Sequence, residues 1–97
     1  MNVPKIKSVM PLKHWKLHVT FDNHIQKIYD CAPLFELERF GLLKNEAFFK
    51  SLRVDAGGYG ISWNDDLDLS EYELWHNGVE VESKPTALYM VSQPVLQ

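Results

Sequence analysis

The feature that most constrains this chain is a strict alternation from Trp15 to Phe21. Trp15, Leu17, Val19 and Phe21 fall on one side, and Lys16, His18 and Thr20 on the other. A period of two is the pattern of a half-buried β-strand, because successive side chains of an extended backbone point to opposite faces. The four bulky groups therefore predict a sheet with a covered side and a free polar side. Asp22-Asn23-His24 reads as a turn, since Asp and Asn tolerate left-handed backbone and bond their own main chain. Ile25 to Cys31 then returns as the antiparallel partner, although Ile25 and Ile28 fall on opposite faces. Upstream, Lys5 to Met10 reads as a strand closed by Pro11, which has no N–H for a central ladder.

After the hairpin the periodicity changes. Pro33 suits the first position of a short helical turn through Leu34, Phe35 and Leu37, with Gly41 as its end. Asn45 is placed to cap a second helix over Glu46 to Ser51, with Phe48, Phe49 and Leu52 on its buried side. Arg53 to Asp55 and Ile61 to Trp63 read as strands of a second hairpin around Gly57-Gly58-Tyr59-Gly60. Ser70 and Glu73 have the spacing of a capping box, and Leu69 and Leu74 that of a hydrophobic staple. They predict a helix over Glu71 to Asn77, with Tyr72 and Trp75 towards the core and Gly78 as a left-handed C-terminal cap. Pro85 breaks the chain before a terminal strand over Thr86 to Val91 and a tail.

The expected fold is therefore α+β: a small antiparallel sheet of two hairpin-like units with two or three short helices. Residues 1–80 read as a single domain and 81–97 as a C-terminal extension with one extra strand and a tail. With 97 residues, 45% hydrophobic and 24% charged, the chain has the balance of a globular domain with one modest core. No apolar run reaches the length of a membrane span, and the start lacks a signal-peptide core, so no membrane partner is expected. A single cysteine, Cys31, cannot close an intramolecular disulfide, and a reducing cytoplasm suits it.

The chemistry-bearing residues do not assemble into a catalytic or ligand-binding motif. His14 and His18 would share a helix face, but in a strand their Cα atoms lie roughly 13 Å apart, too far for one zinc ion. The glycines at 57, 58 and 60 lead into a strand rather than a helix and lack the Lys-Ser/Thr of a phosphate loop. Asp65, Asp66 and Asp68 fail as a calcium loop, because Leu69 stands where glycine is needed and Trp75 where a bidentate Glu is needed. Cys31, beside apolar neighbours, reads as a small hydrophobe. Hence no enzyme, cofactor or metal site is expected.

Charge is distributed unevenly. Residues 1–20 carry four lysines and no acid, and residues 64–97 carry seven acids against Lys84. The two stretches can steer partners of opposite sign, face one another in the fold or across a homodimer, or simply be solvated. Lys13, His14, Lys16 and His18 are the candidate partner surface, with a nucleic acid as the alternative partner. That alternative lacks an exposed stacking aromatic on that face, since Trp15 belongs to the opposite side.

An ordered set of fragments resembles the DUF2442 family of small bacterial proteins of unknown function. It comprises Val9-Met10-Pro11-Leu12, Trp15-Lys16-Leu17, Val19-Thr20-Phe21-Asp22-Asn23 and Lys27-Ile28-Tyr29-Asp30. Pro33-Leu34, Phe48-Phe49-Lys50-Ser51, Arg53-Val54-Asp55, Gly57-Gly58, Trp63-Asn64 and Asp68-Leu69-Ser70 follow at the family's spacing. The resemblance implies an α+β domain with an antiparallel sheet. It implies a noncatalytic protein–protein interaction or regulatory module, antitoxin-like towards a small toxin, binding a small protein partner or itself. The alternative is a nucleic-acid-binding regulatory domain using the basic N-terminal strand face. Two features depart from the family: Gln26 stands at a position that is usually apolar, and residues 79–97 leave no room for the helix-turn-helix that some relatives append.

Overall fold

The computed structural model describes residues 2–81, so the expected strand over 86–91 lies outside the described residues. Seven strands form two antiparallel sheets. The first has the order β1 (Ile6–Leu12), β2 (Lys16–Phe21), β3 (Gln26–Asp30), β7 (Val79–Glu80). The second has the order β4 (Arg53–Val54), β5 (Gly60–Asn64), β6 (Leu67–Ser70). Between β3 and β4 lie 3-10 turns over Ala32–Glu36 and Glu38–Lys44, then helix α1 (Glu46–Phe49); helix α2 (Glu71–Asn77) joins β6 to β7. The α+β expectation holds, with two sheets rather than two hairpins.

The alternation in β2 does what its period requires. Leu17, Val19 and Phe21 are fully buried, while Lys16, His18 and Thr20 are half-buried on the other face. Full burial of each such side chain contributes roughly 1.5–3 kcal/mol against leaving it in water. Trp15 departs from the pattern. With His14 it forms the tight turn between β1 and β2, and both have left-handed backbone, with φ of 58° and 64°. The connection is three residues long, Lys13–Trp15 between the paired Leu12 and Lys16, and it makes its turn with two consecutive positive φ values and no glycine. A bulky residue holds that conformation only when its surroundings fix it. Trp15 is so fixed: its indole N–H donates to the Leu43 carbonyl, its ring meets Phe35 edge-on at 5.9 Å, and its carbonyl accepts from Cys31.

Pro11 does not close β1. The strand runs on to Leu12, with Pro11 opposite Leu17. Because β1 is an outer strand, a residue without an N–H is tolerated there. The Asp22–His24 turn forms as expected, with His24 at φ 74° and the Asn23 side chain accepting from Ile25. Gly41 ends no helix. The first 3-10 turn stops before Leu37, whose extended backbone starts the next one, and Gly41 lies inside that second run. Asn45 caps α1 as its spacing predicts, accepting from the Phe48 N–H at 2.9 Å.

The second sheet contains a strand the sequence reading missed. The Asn64 side chain accepts from the N–H groups of Asp66 and Leu67, both at 2.8 Å, and turns the chain into β6. Leu67 and Leu69 are buried and Asp68 is exposed, a short alternation obscured by Asp68 and the two acids of the preceding turn. Ser70 then caps α2 at 3.1 Å from the Glu73 N–H, but the reciprocal half of the capping box is absent. The Glu73 carboxylate accepts from the Tyr29 hydroxyl instead, at 2.7 Å. Tyr72 is exposed, against expectation, and Leu74 is the fully buried residue of α2. Trp75 is half-buried, edge-on to Phe21 at 5.0 Å and beneath the Lys27 ammonium at 3.9 Å. Gly78 is extended, with φ −79°, and not left-handed. It is required for space: a Cβ there would stand 2.6 Å from the Leu74 carbonyl oxygen.

One core draws on both sheets and on the segment between them. A tryptophan from each side fastens that segment. Trp15 donates to Leu43, and Trp63 donates to the Phe49 carbonyl at 2.8 Å while stacking on the Phe49 ring. Buried indoles need such acceptors, so each serves as both filler and tether.

Candidate functional site

An open groove of about 720 Å³ lies where β3, β7, α2 and the Ala32–Glu36 turn meet. The topology explains its position. β3 carries Tyr29 towards the core side, where it reaches Glu73 on α2, and carries Ile28 and Asp30 on the opposite face. β7 is so short that Val79, opposite Ile28, remains 71% exposed. Pro33 and Leu34 come from the turn that follows β3, and Leu37, 45% exposed, is the extended residue just after it. Apolar walls with a few placed polar groups are the usual make-up of a binding concavity.

The polar groups of the groove are Lys16, Tyr29, Asp30, Glu73 and Asn77. Lys16 pairs with Asp30 at 3.5 Å, both being close to half exposed, so the pair contributes little to stability. Asp30 also accepts from the Ala32 N–H at 2.9 Å, which begins the 3-10 turn. Burial, then the hydrogen bond to Glu73 and its negative charge, push the Tyr29 phenol well above its ordinary range. It therefore stays a neutral donor that holds one oxygen of Glu73 in place.

Cys31, at the end of β3, is fully buried. Burial, with Asp30 adding to it, pushes its thiol up to about 12. A buried, protonated thiol packs as a hydrophobe and has none of the thiolate character of a nucleophile. Among the described residues, no three His, Cys, Asp or Glu side chains are placed to hold a metal ion. Asp65 and Asp66 form the exposed turn before β6, and Asp68 lies in β6 opposite Ser62. No helix among the described residues is long and apolar enough to cross a membrane.

The structure divides the four basic residues singled out from the sequence. Lys13 and His14 sit at the β1–β2 turn, beside a smaller hollow of about 270 Å³ that Trp15, Glu46, Phe49 and Lys50 also line. Lys16 and His18 lie on the free face of β2. Lys16 lines the groove, and a His18 ring nitrogen is 2.7 Å from the Gln26 side-chain oxygen. Gln26 is thus the local partner of His18.

Sequence reading missed the groove itself. Its clearest signal was the irregular alternation of β3, because Ile28 is an aliphatic residue on the face that β2 leaves polar. Across the four strands, Met10, His18, Ile28 and Val79 form one row on that face. Met10 and Val79, its outer members, are both mostly exposed.

A family model described as "Protein of unknown function (DUF2442)" matches residues 6–80. The match runs from the first residue of β1 to the last of β7, so it covers both sheets and the groove. No curated protein and no solved structure gives a match.

Proposed function

This chain belongs to the DUF2442 family, and we propose that it is a noncatalytic module that binds a small protein through the groove and the adjoining free face of the first sheet. The observation that carries this reading is the exposure of Val79 and Leu37 in one groove with Ile28. Exposed aliphatic groups gathered in a concavity mark interaction sites more than scattered ones do. The Tyr29 and Cys31 environments hold both groups protonated, which suits a binding surface better than acid–base or thiol chemistry. An antitoxin-like role towards a small toxin, in the cytoplasm, is the form of this function that the family resemblance implies.

The test compares wild type with Val79→Asp as bait in cells of the source organism, followed by reconstitution from purified components. Wild type is expected to hold one protein at near-equal stoichiometry, and Val79→Asp to lose it while keeping its circular dichroism spectrum. Equal retention by both baits, or no protein reconstituted with wild type, would overturn the reading.

Nucleic-acid binding through Lys13, His14, Lys16 and His18 has weaker support. Lys16 is engaged by Asp30 and His18 by Gln26, and the four residues do not converge. Anisotropy titration with DNA and RNA at ~50 mM salt discriminates the two readings, because phosphate-driven binding is strongest at the low end of the salt range.

A further inference from the structure

Resting on that reading, we propose that the groove receives an extended peptide segment bearing a lysine or arginine beside aliphatic residues, with Glu73 taking the cation. Charge complementarity selects this occupant. The groove holds two carboxylates, Asp30 and Glu73, against one ammonium, Lys16. Lys16 is paired with Asp30, whereas no lysine, arginine or histidine among the described residues pairs with Glu73.

Glu73 is also held ready. Its Oε2 accepts from Tyr29 at 2.7 Å, and no hydrogen bond reaches Oε1 among the described residues. A carboxylate already fixed by one donor, with its second oxygen still able to accept, loses little freedom on binding. The arrangement departs from local helix chemistry, because a Glu three residues after an N-cap serine ordinarily bonds back to the cap. Around it, Ile28, Leu34, Leu37 and Val79 offer contacts to aliphatic side chains. Among the described residues β7 is the end strand on this side, so an extended segment can lie along it and use main-chain groups.

The test titrates three end-blocked pentapeptides into the 15N-labelled full chain: Val-Leu-Lys-Leu-Val and its versions with norleucine or glutamate at the centre. The lysine peptide is expected to shift the amides of Ile28, Leu37 and Val79 and to bind about tenfold more tightly than the norleucine peptide, the order of a charge-assisted hydrogen bond at a partly exposed site. Glu73→Gln should abolish that preference while its amide oxygen still accepts from Tyr29. Equal binding of the three peptides would overturn the cation assignment, and partner loss on Val79→Asp would then still support protein docking. Two other results would overturn the proposal by naming another occupant. Groove signals that move on dilution alone identify a second copy of this chain. Groove amides that no peptide moves, but that a deletion of residues 82–97 does, identify the chain's own C-terminal segment.

Discussion

The two sheets of this protein, one of four strands and one of three, differ in how they are covered. In the first, β2 alternates between fully buried and half-buried residues, so one face meets the core and the other meets solvent. In the second, four successive residues of β5, Gly60 to Trp63, are buried. Even the hydroxyl of Ser62 is enclosed, and it donates to Asp55 at 2.8 Å. A strand covered on both faces contributes packing and little else, whereas a strand covered on one face also displays a surface. The groove lies at the edge of the half-covered sheet. The lesson is a division of labour, in which one sheet anchors the core and the other presents side chains to a partner.

The difference can be broken most severely at Gly58, where the second sheet's hairpin meets β1. Gly58 has φ +74°, and a Cβ there would overlap the Ile6 backbone. Gly58→Ala is expected to cost about 4 kcal/mol or to prevent folding, because strain and backbone overlap act together. Urea denaturation followed by tryptophan fluorescence measures it. Next is Ile61→Ala, in the doubly covered strand, expected to lose about 3 kcal/mol in the same assay. Tyr29→Phe should cost about 1 kcal/mol, since it removes one hydrogen bond to a carboxylate and leaves the ring in place.

A pH series gives an effect of known sign. Cys31 is raised from its ordinary 9.0 to about 12, so above pH 9 the unfolded chain gives up a proton that the folded chain keeps. Stability is therefore complete below that value and falls as pH rises through the interval. The double variant Cys31→Ala, Tyr29→Phe should show a shallower alkaline decline in urea midpoint than wild type; an equal decline would show that other groups govern it. The smallest effect is expected for Val79→Asp, on the free face, at less than about 0.5 kcal/mol. A loss there as large as that of Ile61→Ala would erase the distinction between the two sheets.

How legible each part was in the sequence follows the same division. β2, the Asp22–His24 turn and the Asn45 and Ser70 caps were readable because each depends on neighbours within a few positions. Trp15 was misplaced because its left-handed backbone is held by Leu43 and Phe35, which no local pattern can announce. Gly78 was misread for a similar reason: its role is clearance from Leu74 and Lys27, not backbone handedness. The groove was least legible of all. It joins Lys16, Tyr29, Leu37, Glu73 and Val79 from elements far apart in the chain, and its anchoring bond replaces one that the local motif predicts.

The outer strand β1 is unfit for further pairing at both of its ends. Towards Leu12 it carries Pro11, and at Ile6 its backbone lies against Gly58. Open-ended polymers need two adhesive sides on every subunit, and this sheet has lost one. Among the described residues of this sheet, strand addition is left to the opposite margin, β7. A sheet with one blunted margin resists lengthening into fibres.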